Sequence, residues 1–242
     1  MVQNKAVFSK TVFSIVLILS FLLSASEDSR AQCEKYVYTE TYKIPAKGDT
    51  WLNIKADFAN PRGSGAENEY LAELHYGISD RFTIGVTGAF EHQNQKISYE
   101  ESEVGIRYWL IRNKSFNTTL HLSYEIPEDA SDGGEAEMGI FLSKDFNRWN
   151  ITGNLNLEKE FKKGPEQSPV EMTFKIAASY QSGKTTQIGV EYLNEPVEQK
   201  QNLVPGIYQK LSESCHLNLG YSFSLNQSGQ DNKIRTVLSI KF

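Results

Sequence analysis

The sequence predicts an all-β fold, a single antiparallel β-barrel of about twelve strands, and three observations support this prediction. From residue 50 onward, segments of roughly 10–13 residues alternate apolar and polar side chains, which is the period of a strand between two unlike environments. The connections between these segments alternate between short and long. Aromatic side chains gather near the predicted strand ends. In the clearest segment, residues 215–226, one face carries Leu217, Leu219, Tyr221, Phe223 and Leu225.

Twelve segments have this alternation. They are residues 50–59, 68–78, 82–92, 99–111, 116–127, 135–145, 149–160, 169–181, 185–194, 201–211, 215–226 and 233–242. Tight connections such as 79–81 alternate with longer ones such as 128–134, and outer-membrane barrels have short periplasmic turns and longer external loops. An even number of strands places both ends of the barrel on the periplasmic side. The alternative is a secreted β-sandwich, whose strands alternate in the same way.

The second face of these strands is too polar for a protein core, and we assign it to a wet barrel interior. Acidic residues on such a face can select cations, and the alternative is a salt-bridged network that fills the lumen. The predicted lumen-lining residues are Lys55, Asp57, Glu73, His75, Glu91, Glu103, Arg107, His121, Glu125, Glu137, Glu158, Glu171, Lys175, Glu191, His216 and Arg235.

The first residues have the three-part pattern of a secretory signal peptide. Lys5 and Lys10 form a basic start, residues 11–23 are apolar, and small residues lead up to Ala31. Cleavage is predicted after Ala31, with cleavage after about Ala25 as the alternative. The predicted organisation is therefore a signal peptide at 1–31, a periplasmic N-terminal segment at 32–49 and a transmembrane barrel at 50–242. The formal net charge is −5, and no basic block offers a surface to nucleic acid.

Cys33 and Cys215 are the only cysteines. They permit one disulfide in an oxidising compartment and exclude a metal site built from several cysteines. If they pair, residues 33–45 lie against the periplasmic mouth or reach into the lumen as a partial plug. The alternative is a loose tail and two unpaired thiols.

Two short motifs suggest catalysis or nucleotide binding, and neither has the required context. His121-Leu122-Ser123 has the spacing of outer-membrane lipid hydrolases, but the alternation turns His121 and Ser123 toward the lumen, away from lipid. Residues 183–186 mimic the end of a phosphate-binding loop, but Ala178 stands where that loop needs glycine. We therefore predict no enzymatic activity, no cofactor and no metal site.

Two stretches resemble known outer-membrane proteins. The chain ends KIRTVLSIKF, which resembles the final strand that the barrel assembly machinery reads, with Phe242 as the assembly signal. Residues 67–92 resemble the outer-membrane family labelled for the MetA pathway of phenol degradation, which shows Tyr-Gly-apolar-(Ser/Thr)-Asp-Arg between two strands. Here that motif is residues 76–81, followed by the strand at 82–86. The resemblance implies a barrel that passes small molecules such as aromatics, and it brings no catalytic residues.

Three functions remain open from the sequence. The first is a channel or transporter for small molecules, including aromatic or hydrophobic ones, in the outer membrane of a Gram-negative bacterium. The second is an outer-membrane lipid hydrolase, and the third is a structural barrel with an occluded lumen. The expected partners are outer-membrane lipid, the barrel assembly machinery and a small-molecule solute.

Overall fold

The computed structural model describes residues 35–59, 68–93, 96–113, 116–129, 133–162, 168–197, 199–226 and 232–242. The predicted signal peptide and Cys33 lie outside these ranges, so the cleavage site and the disulfide stay predictions. Within the described ranges, no helix is long and apolar enough to cross a membrane.

Every regular element in the described ranges is an antiparallel β-strand. The strands are β1 (Thr50–Ala59), β2 (Asn68–Ser79), β3 (Phe82–Gln93), β4 (Lys96–Arg112), β5 (Asn117–Pro127), β6 (Gly134–Phe146), β7 (Trp149–Phe161), β8 (Val170–Gln181), β9 (Thr186–Glu195), β10 (Lys200–Lys210), β11 (Cys215–Tyr221), β12 (Phe223–Ser224) and β13 (Lys233–Lys241).

The sheet closes on itself. Strands β1 to β10 each pair with the next strand in the sequence, and β13 pairs with both β11 and β1. At one end of the β1–β13 seam, Trp51 stands opposite Lys241. β11 and β12 both pair with β10 and form one strand interrupted at Ser222, so the barrel has twelve strands. The predicted fold is confirmed, and the sandwich is excluded because a single closed sheet contains every described strand.

The two faces of the strands differ as the alternation predicts. On β11, Leu217 and Leu219 are 39% and 46% exposed on the outside, whereas Asn218 between them is 1% exposed on the inside. Aromatic pairs lie near both barrel ends, with ring centroids 5.0 Å apart for Trp149 and Tyr180 and 6.4 Å apart for Phe58 and Tyr70. An apolar outer band between two aromatic belts is a surface suited to lipid.

Residues 35–48, here called the luminal segment, run inside the barrel and form no strand. Tyr36, Val37 and Thr39 are at most 2% exposed. At its end, the Asp49 N–H donates to the Ala46 carbonyl at 3.0 Å, and this turn leads directly into β1. Gly48 in this turn has a φ of 85°, a left-handed conformation that favours glycine.

Candidate functional site

One carboxylate in the barrel wall holds the start of the luminal segment. Glu191 of β9 is fully buried and accepts the backbone N–H groups of Val37, Tyr38 and Thr39 at 2.9, 3.0 and 2.7 Å. Successive N–H groups point to opposite sides of an extended chain, so this convergence requires the bends that the structure has at residues 36–39. The Tyr208 hydroxyl donates to the same carboxylate at 3.2 Å. Four donors thus offset the otherwise unfavourable burial of this carboxyl group.

Three further wall residues bind the main chain of the segment. The Asn154 side chain accepts from the Glu40 N–H at 2.7 Å and donates to the Glu40 carbonyl at 2.8 Å. Asn218 donates to the Tyr36 carbonyl at 3.2 Å, and the Thr119 hydroxyl donates to the Tyr42 carbonyl at 2.6 Å. The segment is therefore held by β5, β7, β9 and β11 without joining the sheet.

Aromatic side chains anchor both halves of the luminal segment. The Tyr36 hydroxyl contacts Asn150 and lies 3.2 Å from the Ser179 hydroxyl, and the Tyr36 ring lies edge-on to Tyr208 with centroids 5.3 Å apart. Further along, the Tyr42 and Trp109 ring centroids are 5.4 Å apart. Apolar lumen side chains complete the contact with Tyr36 and Val37. They are Ala177, Leu193, Val204 and Val237.

An ion-pair network in the middle of the lumen includes the segment. The Glu40 carboxylate lies 2.9 Å from the Arg107 guanidinium and 3.4 Å from the Lys55 ammonium. Lys55 also lies 2.6 Å from the Glu73 carboxylate, which is 3.7 Å from His75 Nε2. Lys55 of β1 and Arg107 of β4 therefore both bind a carboxylate of the luminal segment, and Lys55 also binds a carboxylate of the barrel wall.

A second ion pair lies further along β1, toward its C-terminal end. Arg235 binds both carboxylate oxygens of Asp57 across the β1–β13 seam. The Arg235 guanidinium carbon also lies 3.9 Å from the ring centroid of Tyr38, so a cation–π contact joins the segment to the seam.

The segment also meets an acidic residue near the C-terminal end of β6. The Asp145 carboxylate lies 3.2 Å from the Lys35 ammonium and accepts the Tyr42 hydroxyl at 3.1 Å. Burial lowers the pKa of Lys35 from 10.5 to about 8, although the negative charge of Asp145 opposes this shift.

Cavities lie on both sides of the segment. An outer cavity of about 300 Å³ is lined by Tyr38, Lys175, Asn202, Arg235 and other polar residues. A second outer cavity of about 250 Å³ shares Lys175 and Glu195 with the first and adds Glu158 and Glu171. At the end of the barrel with the short turns, predicted to be periplasmic, a cavity of about 260 Å³ is lined by Ile44, Trp51, Trp109 and Lys241, among others.

All sixteen predicted lumen residues lie buried or half-buried in the structure. Seven are buried: Lys55, Asp57, Glu73, His75, Arg107, His121 and Glu191. Nine are half-buried: Glu91, Glu103, Glu125, Glu137, Glu158, Glu171, Lys175, His216 and Arg235. Arg107, Lys55, Glu191 and Arg235 contact the luminal segment directly. The glutamates of β4–β8 instead form a separate acidic wall, in which Glu158 stands directly opposite both Glu137 and Glu171.

Sequence reasoning missed the apolar part of the lumen. Trp109, Phe141, Leu193 and Val237 are buried on the inner face, which had been assigned to water-facing polar side chains. The signal was in the alternation itself, since Trp109 follows Arg107, Leu193 follows Glu191 and Val237 follows Arg235, each by two residues.

The residues of the possible hydrolase motif face the lumen. His121 is buried there with its Nδ1 3.3 Å from a Glu137 carboxylate oxygen, whereas Leu122 is 49% exposed on the outer face. A Cβ atom added at Gly105 of the neighbouring strand would contact both His121 and Ser123, which places both on the inner face. In the described part of the chain, no three His, Cys, Asp or Glu side chains are arranged to hold a metal ion.

Two further predicted site residues, Phe242 and Cys215, lie near the C-terminal end of β13. Phe242 exchanges main-chain hydrogen bonds with Thr50, at 2.9 and 3.3 Å. Cys215 is buried at the start of β11, opposite Ile240, while its predicted partner Cys33 is outside the described residues.

Comparison with known proteins identifies the fold. No protein-family model matches the sequence, and no curated protein matches it. Among solved structures, the KdgM porin is similar with a TM-score of 0.57 and 12% identity, covering 79% of this chain and 99% of that one. The same porin in complex with disordered oligogalacturonate has a TM-score of 0.56, 12% identity and coverages of 79% and 98%.

An outer membrane channel from Pseudomonas putida F1 has a TM-score of 0.58 and 9% identity, covering 83% of this chain and 97% of that one. At these identities the likeness shows the fold alone. The chain thus has the fold of outer-membrane β-barrels, and its apolar outer band lies between two aromatic belts. These two observations together place it in the bacterial outer membrane.

Proposed function

We propose that this protein is an outer-membrane channel for small polar molecules, and that its luminal segment closes the channel. The observation that carries the proposal is the arrangement of the lumen. A closed barrel with charged inner walls holds a short segment through non-covalent contacts, and cavities of about 300 and 260 Å³ lie on its two sides. A barrel with a purely structural role has no need for cavities on both sides of a removable segment.

The contacts of the segment are of a kind that can exchange with water or solute. Its described residues form no strand, so leaving the lumen would break side-chain hydrogen bonds and ion pairs but no ladder of the barrel. Each such bond contributes only about 1 kcal/mol net when water can replace the partner. Displacement of the segment is therefore compatible with an intact barrel.

The cavity walls favour polar or charged solutes. The outer cavities are lined by lysine, arginine, glutamate and asparagine side chains. The KdgM porin, which shares the fold, has been solved in complex with oligogalacturonate. Both observations support passage of hydrophilic molecules.

Aromatic solutes are a second candidate. The resemblance of residues 67–92 to the MetA-pathway family favours them, and Trp51 and Trp109 line the periplasmic cavity, where rings could stack. A comparison of sugar acids with phenolic acids of similar charge in a liposome uptake assay separates the two classes.

Ion conductance of the purified protein in planar bilayers tests the channel itself. We expect transitions between closed and open levels for the natural protein, and a larger open fraction for Glu40→Gln, because that change leaves Arg107 and Lys55 without the carboxylate of the segment. Glu128→Gln, at an exposed position after β5, is the matched control and should behave like the natural protein. If the natural protein and Glu40→Gln are both silent at every voltage, the barrel is occluded and the channel proposal is wrong.

A further inference from the structure

The wall of the lumen binds the luminal segment mainly through its main chain. Four N–H groups, of residues 37–40, donate to Glu191 and Asn154. Three carbonyl groups, of residues 36, 40 and 42, accept from Asn218, Asn154 and Thr119. Main-chain groups are common to all peptides, so these contacts do not depend on the side chains of this segment.

The wall residues that make these contacts are buried and need such partners. Glu191, Asn154, Asn218 and Thr119 are at most 2% exposed. When the segment leaves the lumen, water or another ligand must replace its N–H and C=O groups at these four side chains. The four side chains therefore form a built site whose natural complement is an array of amide N–H and C=O groups.

We infer that this wall is a binding site for short peptides, occupied here by residues 36–42, and that oligopeptides are a class of solute that the channel takes. The inference rests on the proposed channel function and names its substrate class. A peptide entering the lumen exchanges with the resident segment at the same seven main-chain groups.

Two side-chain positions give the site a preference. The Tyr36 hydroxyl reaches Asn150 and Ser179 in the wall, and the Glu40 carboxylate reaches Arg107 and Lys55. The bends at residues 36–39 bring these two anchors into place around Glu191. The preferred peptide therefore has a tyrosine and, four residues later, an acidic residue.

The natural protein competes with any added peptide, because a tethered segment acts at an effective concentration in the millimolar range. The test therefore uses the full chain with Tyr36→Ala and Glu40→Gln, which weakens both anchors of the resident segment. The probe is a fluorescent peptide of the sequence KYVYTETYKI, identical to residues 35–44, and binding is followed by fluorescence anisotropy in detergent. We expect the double variant to bind the peptide at least about tenfold more tightly than the natural protein does.

Two matched controls isolate main-chain recognition. The same peptide N-methylated at the positions of Val37, Tyr38 and Thr39 lacks the three donors to Glu191 and should bind at least about tenfold more weakly. Adding Glu191→Gln to the double variant should weaken binding similarly. Adding Glu213→Gln, at an exposed position in the connection before β11, should not.

Equal binding of the methylated and unmethylated peptides would overturn the inference, as would binding of oligogalacturonate by a double variant that binds no peptide. Conductance of the same double variant keeps the two proposals apart. If the double variant conducts but binds no peptide, the peptide site is wrong and the channel proposal stands. If it binds peptide but never conducts, the channel proposal is wrong and the protein is a closed peptide-binding barrel.

Discussion

The main-chain carbonyl of Ala46 passes directly over Gly77, so closely that a Cβ atom at residue 77 would overlap its oxygen. The Gly77 carbonyl accepts a hydrogen bond from the Gly48 N–H at 2.8 Å, and the Gly77 N–H donates to the Asp49 carbonyl at 3.0 Å. The luminal segment thus leaves the lumen across a strand position that has no side chain. This position is also the glycine of the Tyr76-Gly77 motif in the hairpin of β2 and β3.

Gly77→Ala should therefore displace the end of the luminal segment while leaving the barrel intact. The added methyl group forces the Ala46 backbone away, although alanine itself suits a strand better than glycine does. We expect a larger open fraction in planar bilayers than for the natural protein. Gly153→Ala is the matched control, since the nearest atom to a Cβ there is 3.9 Å away. Identical gating of the two variants would show that the turn at residues 46–49 does not control closure.

Closure should strengthen as the pH rises above 8. Burial lowers the pKa of Lys35 to about 8 in the docked segment, whereas an undocked segment keeps the ordinary value of 10.5. Between these two pH values the docked form releases a proton that the undocked form retains. The ratio of docked to undocked protein therefore increases with pH, by at most about tenfold per pH unit. Open probability measured from pH 7.5 to 10.5 should fall in the natural protein.

Lys35→Met removes the titrating ammonium, so its open probability should stay flat over the same range. Asp145 and Lys43 are the charged groups that influence Lys35, and both remain in place in this variant. An equally steep profile in Lys35→Met would assign the effect to another group.

Replacing Arg235 alone should destabilise the barrel seam more than replacing Arg235 and Asp57 together. Asp57 is 1% exposed, so Arg235→Gln leaves a buried carboxylate with its strongest partner lost. Such a loss lowers the free energy of unfolding by about 3 kcal/mol. Arg235→Gln combined with Asp57→Asn should recover part of it, and urea unfolding of the two single variants and the double variant measures the coupling. Additive single effects would mean that the pair contributes nothing to the seam.

Cysteine labelling on intact cells should establish the orientation of the barrel. In a background with Cys33→Ser and Cys215→Ser, single cysteines within residues 60–67, 128–134 and 161–168 should react with an impermeant reagent. Cysteines at Asp80 and Gly183, in the tight connections of the other end, should be protected. The reverse pattern would invert the topology.

The strands were predictable because alternation is a local property of the sequence. The predicted segment 149–160 forms β7 at Trp149–Phe161, and 99–111 forms the longer β4 at Lys96–Arg112. The irregularity between Trp109 and Ile111 in β4 was not predicted, because alternating side chains continue on both sides of it.

The contacts of the luminal segment could not be predicted in the same way. Residues 35–48 form no strand, although Tyr36, Tyr38, Tyr42 and Ile44 stand at alternate positions. The side chains that bind the segment come from four strands that are distant in sequence, and they are Glu191, Asn154, Asn218 and Thr119. Each partner looks like any other polar lumen residue. Only closure of the sheet brings the four side chains to one peptide.

The large sequence separation of these contacts has a consequence for biogenesis. The hydrogen bonds between wall side chains and the main chain of residues 36–42 join residues 77–182 positions apart, and such contacts form only after the intervening chain is in place. Docking is therefore a late event that requires β5, β7, β9 and β11 together in a curved sheet. The segment is therefore docked only in a completely assembled barrel. In an incompletely assembled barrel, residues 35–48 remain accessible to proteases of the cell envelope.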